Sequence, residues 1–492
     1  MIGDFSVDMI VLLIGFFLLS GVLMTKLTSR AGVPALVLFM ILGMILGSDI
    51  TGLIYFENAQ LAQTIGMIAL VVILFEGGLQ TDWKHVRPVL KGAGVLATLG
   101  VVITAAVLAV AVHYVLGLGW IESFLLSSIV SSTDAAAVFS VMSGQNIKPK
   151  MSSTLEMESG SNDPMAMFLT VAFLQWLTMD DFAFGNLVLS FFLQMGLGLL
   201  LGLGLGYIAS KWMNKVKLDA SGLYAVFSIG FAMAIYSVTA VVGGSGLLAV
   251  YVAGILIGNR ELNHSHSIFR FQEGFAWLMQ LVMFVILGLL VFPSELANWD
   301  LISKGLILSF VLMFIARPIA VFIGTLFFDY TFKEKLFVSW AGLRGAVPIV
   351  LATFPLLAGV DNAYLYFNMV FFIVITSALL QGSTISQVAR LLGLEAPPKP
   401  ERIHQLELVS MDKANAEMLE VEVSVNSPIL NVEVQELDLP QDTVISAIIR
   451  DGQLVMPTGQ TVLQAHDVLY ILADKRQVNR VRELMEEDVC FN

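Results

Sequence analysis

Long apolar stretches follow one another through the first 390 residues and constrain this chain more than any other feature. A helix needs about 20 apolar residues to cross the hydrocarbon core of a bilayer, and the chain is 57% hydrophobic with only 13% charged residues. We therefore expect an α-helical polytopic membrane protein with about 13 spans. The predicted spans are 7–25, 33–47, 60–79, 92–117, 121–142, 156–178, 186–210, 221–241, 244–258, 270–292, 302–327, 335–357 and 363–386.

Basic residues mark every second loop between these spans. Loops on the cytoplasmic side of a membrane are enriched in Lys and Arg, and the odd-numbered loops here hold pairs or triplets of them, whereas the even-numbered loops hold mainly acids. This alternation predicts that the N-terminus lies outside and the C-terminus in the cytoplasm. The basic residues are Lys26 and Arg30; Lys84, Arg87 and Lys91; Lys148 and Lys150; Lys211, Lys215 and Lys217; Arg260 and Arg270; Lys333 and Lys335.

The chain beyond residue 390 has a different character. We predict a transmembrane domain at 1–390, a Pro-rich linker at 391–416 and a cytosolic domain at 417–492. Alternating apolar residues and turn signals in the tail predict a small α+β fold. Its predicted strands are near 419–425, 444–449 and 468–472, and a helix is expected at 477–487.

Several ionisable side chains fall inside the apolar spans. A charge within the hydrocarbon region costs several kcal/mol, so such residues are candidates for function. One buried acid or arginine alone is readily explained as structural, but a cluster of five acids and two arginines indicates an ion pathway. The cluster comprises Glu76 in span 3, Asp134 in span 5, Glu156, Glu158 and Asp163 in span 6, Arg317 in span 11 and Arg344 in span 12.

Span 6 carries the densest group of polar residues. Ser159, Asn162 and Asp163 are three and four residues apart, so they share one helix face and together offer a cation several oxygens. Glu158 lies slightly round the helix and needs a counter-charge, since an unpaired buried carboxylate is destabilising. Arg317 and Arg344 are the arginines well inside spans, and the spacing alone leaves both open as its partner.

Spans 5 and 12 resemble each other, because each has a polar pair flanked by small residues near its middle. They are seven spans apart and therefore enter the membrane from opposite sides. This pattern predicts two inverted six-helix repeats, spans 1–6 and 8–13, whose broken helices meet at the midplane. Asp134 would then neutralise the positive N-terminal ends of the half-helices, and Arg344 their negative C-terminal ends.

The sequence predicts neither a resident metal nor a cofactor. The six His residues do not pair at a ligand spacing inside a span, and Cys490 is the sole cysteine. No Gly-rich nucleotide-binding motif follows a strand in the tail, and a net charge of −13 argues against nucleic acid as a partner. Membrane lipid remains as an expected partner of the apolar spans.

These residues resemble the bacterial sodium or potassium/proton antiporters, the electroneutral branch of the monovalent cation:proton antiporter family. The resemblance implies a homodimer in the inner membrane in which cation and proton compete for Asp163. It implies that Thr133, Ser159, Asn162 and Glu76 assist Asp163, that Glu158 pairs with Arg317, and that Asp134 and Arg344 serve the broken helices. Asn162 implies one-for-one exchange. The motifs are Thr133-Asp134, Glu158-Ser-Gly-Ser-Asn-Asp163, Ala316-Arg-Pro318 and Trp340-Ala-Gly-Leu-Arg-Gly-Ala-Val-Pro348.

The tail resembles the C-terminal half of the regulator-of-potassium-conductance module, also called the TrkA-C type. The segments 444–452 and 467–472 carry this likeness. It implies a cytosolic small-molecule regulator and favours K⁺ over Na⁺ as the transported ion.

Three other functions are compatible with buried charges in a membrane protein. A cation channel would need a filter, and no filter-like motif is present. An intramembrane enzyme would need a catalytic constellation; Asp134 and Asp163 are the one candidate pair, and we expect no enzyme. A membrane sensor gated by the tail, without coupled proton transport, is the third alternative. Sequence alone does not separate K⁺ from Na⁺ or name the ligand of the tail.

Overall fold

The computed structural model describes two compact units, Met1–Pro397 and Pro398–Asn492. The description covers the chain except residues 1–5, 32–33, 135–146, 180–183, 263, 396–415, 424–426, 451–452, 475–476, 478–479, 482–483 and 485–492.

The first unit is a bundle of helices. Within the described residues they are α1 (Val7–Ala31), α2 (Ala35–Leu46), α3 (Ala59–Gln80), α4 (Trp83–Val86), α5 (Leu90–Leu116), α6 (Trp120–Ile129), α7 (Pro149–Thr178), α8 (Phe184–Lys215), α9 (Ser221–Val241), α10 (Gly246–Gly258), α11 (Ser265–Leu289), α12 (Pro293–Leu296), α13 (Trp299–Gly324), α14 (Phe332–Trp340), α15 (Ala346–Ala358) and α16 (Ala363–Leu392).

Eight of the described helices are long and apolar enough to cross a membrane: α1, α3, α5, α8, α9, α11, α13 and α16. Helices α2, α6, α10 and α15 are apolar but shorter. Helix α7 has 30 residues, and its buried polar residues lower its apolar character. The protein is thus a helical polytopic membrane protein. Each predicted span contains a described helix, while the number of 13 crossings stays a prediction.

Small residues bring the helices into close contact. On α8, glycines at four-residue spacing face α10, and a methyl group added at Gly202 would lie 2.7 Å from the carbonyl oxygen of Ala249. On α3, Gly78 lies against the backbone of α10 at Tyr251 and Gly254. These contacts follow the small-residue packing that membrane helices use in place of a hydrophobic driving force.

Two helices of the first unit end near one another in irregular backbone. Helix α6 ends at Ile129, and Ser132 to Asp134 are not helical. Helix α14 ends at Trp340, and α15 begins only at Ala346. The backbone N–H of Asp134 donates to the carbonyl of Leu343 over 2.9 Å, which joins the two irregular stretches. Most of the second half of predicted span 5, residues 135–142, lies outside the described residues.

The second unit contains a four-stranded antiparallel sheet of order β1-β4-β2-β3. Its strands are β1 (Ala416–Glu422), β2 (Thr443–Arg450), β3 (Gln453–Val455) and β4 (Val468–Asp474). Leu419, Ile448, Leu469 and Ile471 form the centre of its apolar core. The sequence did not predict β3, and most of the expected helix at 477–487 lies outside the described residues.

Candidate cation site

The Asp163 carboxylate lines a cavity of about 60 Å³ inside the helix bundle. The residue is only 5% exposed, and its Oδ1 atom is buried without a hydrogen-bond partner. No donor from the described residues reaches either oxygen. One water needs roughly 10–15 Å³ of such space, so the cavity has room for a small cation with part of its hydration shell.

Five structural elements line this cavity besides α7. Helices α2, α3, α11 and α15 contribute mainly apolar side chains, and the irregular stretch after α6 contributes Asp134. The carboxylates of Asp134 and Asp163 therefore line the same cavity. The lining residues are Ala35, Leu36, Leu70, Ile73, Leu74, Asp134, Asp163, Trp277, Gln280, Met283, Phe284, Ala346 and Val347.

A network of neutral polar groups joins α7 to the stretch that carries Asp134. The Ser159 hydroxyl donates to the carbonyl oxygen of Thr133, and the Asn162 amide donates to Thr133 Oγ1 over 2.6 Å. All three residues are buried. They flank the two carboxylates in sequence but do not line the cavity themselves. Their observed contacts fix the backbone on which Asp134 and Asp163 stand.

Asp134 lies at the N-terminus of α15. Its Oδ2 atom accepts a hydrogen bond from the backbone N–H of Ala346, 3.2 Å away, at the first residue of that helix. A helix N-terminus leaves unpaired N–H groups and favours negative charge. Gly345 makes this approach possible, because a Cβ atom there would overlap the Asp134 carboxylate.

Arg344 contacts the irregular stretch that follows α6. Its Nη1 donates to the carbonyl of Ser132 over 3.0 Å, three residues beyond the last residue of α6. Its backbone N–H lies 3.3 Å from the Ser377 hydroxyl of α16, Ser377 donates to Gln381, and the Gln381 amide donates to the carbonyl of Trp340. Sequence reasoning missed Ser377 and Gln381, although a polar pair four residues apart in an apolar span is a usable signal.

Glu158 lies against Arg317. Both terminal nitrogens of the guanidinium bind the carboxylate, with Nη2 2.9 Å from Oε2, and both side chains are almost fully buried. Nη2 also donates to the carbonyl of Val338 over 3.3 Å. The spacing in the sequence left both Arg317 and Arg344 open as the partner of Glu158. In the structure Arg317, not Arg344, forms the ion pair.

Glu76 is separate from the Asp163 cavity. It lies on α3 three residues after Ile73, which lines the cavity, and its carboxylate accepts a hydrogen bond from Gln80. The acidic groups whose charges act on it are Glu273 of α11 and Glu156 of α7. Glu156 in turn accepts a hydrogen bond from Thr81. Glu76 therefore belongs to an acidic group beyond the cavity, on the side of the basic loop at 84–91.

Comparison with known families identifies the protein class. The model of the family "Sodium/hydrogen exchanger, transmembrane" matches residues 14–391. The chain belongs to the sodium/hydrogen exchanger family. A TrkA-C domain model matches residues 418–486 of this exchanger. Both resemblances inferred from the sequence motifs are thereby confirmed.

Curated relatives extend over almost the whole exchanger. It is 38% identical to the K(+)/H(+) antiporter NhaP2 of Shewanella sp. (strain ANA-3), over 95% of this chain and 81% of the relative. It is 40% identical to the K(+)/H(+) antiporter NhaP of Alkalimonas amylolytica, over 96% of this chain and 82% of the relative.

A solved structure shares the fold of the exchanger. The sodium proton antiporter MjNhaP1 from Methanocaldococcus jannaschii at pH 8 superimposes with a TM-score of 0.68 at 25% identity. The match covers 78% of this chain and 99% of that protein.

The chemistry available to the exchanger follows from this geometry. Oxygen atoms suit hard cations, and the cavity offers carboxylate oxygens from two residues. Glu158 has a fixed counter-charge and Asp134 accepts from a helix N-terminus, whereas Asp163 receives no hydrogen bond from a described residue. Among the described residues, no group of three His, Cys, Asp or Glu side chains is arranged to hold a metal ion.

Proposed function

We propose that this exchanger transports K⁺, in preference to Na⁺, against H⁺ across the bacterial inner membrane by alternating access, with both ions competing for Asp163. The observation that carries the proposal is the Asp163 carboxylate, buried at the edge of a small cavity without a hydrogen-bond donor among the described residues. A buried charge without compensation is costly. Either a proton or a cation removes that cost, and the site holds one at a time.

Mutual exclusion at one carboxylate couples the two fluxes. The protein changes its access only when the charge of Asp163 is neutralised, because moving a bare carboxylate through the apolar bundle is costly. A bound cation carried one way must then be replaced by a proton carried the other way. Thr133, Ser159 and Asn162 assist by holding α7 against the stretch that carries Asp134.

The exchange is proposed to be one-for-one and electroneutral. Asn162, next to Asp163, bears an amide that does not titrate and that donates to Thr133. Asp134 is engaged by the N-terminus of α15, and Glu158 by Arg317. One carboxylate is therefore available to alternate between a proton and a cation in each cycle.

Two observations support K⁺ as the substrate. Relatives at 38% and 40% identity over most of this chain are named K(+)/H(+) antiporters. The TrkA-C match at 418–486 also fits a protein tied to potassium. A Na(+)/H(+) antiporter, NhaH of Halobacillus aidingensis, is 28% identical over a shorter part of the chain.

The proposed architecture has 13 crossings with inverted repeats, an outside N-terminus and a cytoplasmic tail. The reciprocal contacts support the repeats: Asp134 beyond α6 binds the start of α15, and Arg344 before α15 binds the carbonyl of Ser132. A homodimer is part of the same proposal. Helices α1 and α8 expose most of their apolar side chains, including Leu19, Phe192 and Leu200, to lipid or to a second copy.

The tail is proposed to regulate transport in response to a cytosolic small molecule. The path by which the chain leaves the helical unit supports a coupling. Beyond α16, the carbonyl of Leu394 accepts a hydrogen bond from the N–H of Lys148 over 3.0 Å, and Glu395 forms an antiparallel bridge with Ile147. Ile147 and Lys148 directly precede α7, the helix that carries Asp163. A pull on the linker would therefore reach the site helix.

Transport assays on purified protein test the proposal. In proteoliposomes with a pH dye inside, addition of K⁺, Na⁺, Rb⁺ or Li⁺ separately should move protons outward, with saturation and with the lowest KM for K⁺. Protein-free liposomes are the control. Cation flux without proton movement would indicate a cation channel and not an antiporter. Absence of any cation flux would favour a membrane sensor.

A further inference from the structure

Helix α11 presents one amide side chain to the Asp163 cavity. Four α11 residues line that cavity: Trp277, Gln280, Met283 and Phe284. Apart from the carboxylates of Asp134 and Asp163, Gln280 is the one described lining residue with a side-chain carbonyl. It lies on the wall formed by α11, whereas Asp163 projects from α7.

The Gln280 amide has no hydrogen-bond partner among the residues that the structure describes. Neither the amide oxygen nor the amide nitrogen of Gln280 is fully buried. An amide in an apolar helix face costs free energy unless it finds a partner. Because Gln280 is only partly buried and lines the cavity, water or an ion in the cavity is one partner available to its amide.

Gln280 also belongs to a continuous stripe along α11. Glu273, Trp277, Gln280 and Phe284 are separated by four, three and four residues, so they share one face of the helix. Glu273 is exposed and its charge acts on Glu76 of α3. The stripe therefore runs from the acidic group around Glu76 to the cavity, and Gln280 is its polar member at the cavity.

We propose that Gln280 is a specificity-determining residue whose amide oxygen binds the transported cation opposite Asp163 and favours K⁺ over Na⁺. Carbonyl oxygens replace part of the hydration shell of K⁺ in other membrane proteins. K⁺ is the larger ion and contacts both walls of the cavity, whereas Na⁺ lies closer to the carboxylate and gains less from the amide. This assignment rests on the proposed function, since it names a ligand for the same ion.

The test compares Gln280→Met with Met283→Leu in proteoliposomes. Gln280→Met keeps the length of the side chain and removes its carbonyl, and Met283→Leu alters packing at the same cavity without changing its polarity. We expect Gln280→Met to raise the KM for K⁺ roughly tenfold, the effect of about 1.4 kcal/mol, with less than a twofold change in maximal rate. The KM for Na⁺ should rise clearly less, and Met283→Leu should leave the ratio of the two KM values unchanged.

Two results would overturn the assignment. One is an unchanged KM for K⁺ in Gln280→Met, and the other is an equal rise for both ions, which a purely structural role predicts. If Gln280→Met is not recovered as folded protein, Gln280→Asn, which withdraws the amide by one methylene, must show the same loss of K⁺ preference. The wild-type protein in the same vesicles separates the two proposals. If the wild type shows no exchange, both proposals fail. If the wild type exchanges K⁺ for H⁺, the result with Gln280→Met tests the role of Gln280 alone.

Discussion

Arg317 on α13 binds Glu158 on α7 through both of its terminal nitrogens, inside a part of the bundle where both side chains are almost fully buried. Removal of one member of such a pair leaves an uncompensated buried charge, at a cost of about 3–5 kcal/mol. We expect Arg317→Ala to lower the melting temperature more than Glu158→Gln does. The neutral Gln leaves an arginine that still donates to the carbonyl of Val338, whereas the alanine leaves an isolated carboxylate.

Thermal unfolding in detergent, followed by the loss of monodisperse protein, measures this difference. The double variant Arg317→Ala with Glu158→Gln is the control, and it should be more stable than Arg317→Ala alone, since it removes both charges. Equal melting temperatures for the wild type and both single variants would show that the pair contributes nothing to stability.

Asp163→Asn should abolish cation/proton exchange without unfolding the protein. The amide keeps the shape of the side chain but takes up neither a proton nor a compensating cation, and it removes a buried charge that no described residue compensates. We expect no proton movement above the level of empty vesicles and a melting temperature equal to or above that of the wild type. Asp219→Asn, on the exposed loop between α8 and α9, is the matched control and should transport normally. Retained exchange in Asp163→Asn would remove Asp163 from the mechanism.

The rate of exchange should not depend on membrane voltage. A cycle that moves one net charge gains or loses about 2.3 kcal/mol per 100 mV, a difference that initial rates and final gradients reveal. Voltage can be set with a thiocyanate gradient, so that no potassium ionophore competes with the exchanger. A final cation gradient that shifts with voltage would contradict one-for-one exchange.

Gly345→Ala should impair both folding and transport. The added methyl group would overlap the Asp134 carboxylate, so Asp134 would have to give up its hydrogen bond to the N-terminus of α15. We expect the free energy of unfolding to fall by roughly 1–3 kcal/mol, as for overpacked cores in other proteins, and the exchange to be slower. Gly94→Ala on α5 is the control, because nothing lies within 4 Å of a methyl group there. A Gly345→Ala protein with wild-type stability and rate would show that the contact between Asp134 and α15 is dispensable.

The sequence predicts the helices and the charged cluster because both depend on local patterns. Apolar length identifies the spans, and the motif at 158–163 singles out Asp163 without knowledge of the fold. The spacing alone did not identify the arginine that pairs with Glu158, because Arg317 and Arg344 both lie well inside apolar spans. The family resemblance implied Arg317, and the packing of the helices shows that pair. Gln280 escaped notice for a related reason, since one neutral amide in an apolar span carries no signal until the cavity beside it is known.

Short strands and long-range contacts are likewise invisible in the sequence. Strands β2 and β4 were predicted from β-branched runs, while β3, with three residues, is too short for a periodic signal.

The contact of Leu394 and Glu395 with the start of α7 joins residues more than 240 positions apart. No pattern within a single segment predicts such a contact.

The hydrogen bond between Lys148 and Leu394 can be removed by one substitution, because it depends on a single backbone N–H. Lys148 donates its N–H to Leu394 and has φ −49°, which lies near the range that proline requires. Its predecessor Ile147 lies in an antiparallel bridge, and such extended backbone suits a residue before proline. Lys148→Pro therefore deletes the donor with little strain. Lys148→Gln removes the same charge but keeps the N–H, so it is the matched control.

If the tail acts through this contact, Lys148→Pro should behave like a protein truncated near Glu395. Both should still exchange cations for protons, and both should show the same altered dependence of rate on cytoplasmic-side pH, while Lys148→Gln follows the wild type. The measurement is a pH series in vesicles for all four proteins. A truncated protein with the wild-type profile would make the tail a passive domain. A truncated protein with an altered profile, beside a Lys148→Pro protein with the wild-type one, would place the coupling outside the contact between Lys148 and Leu394.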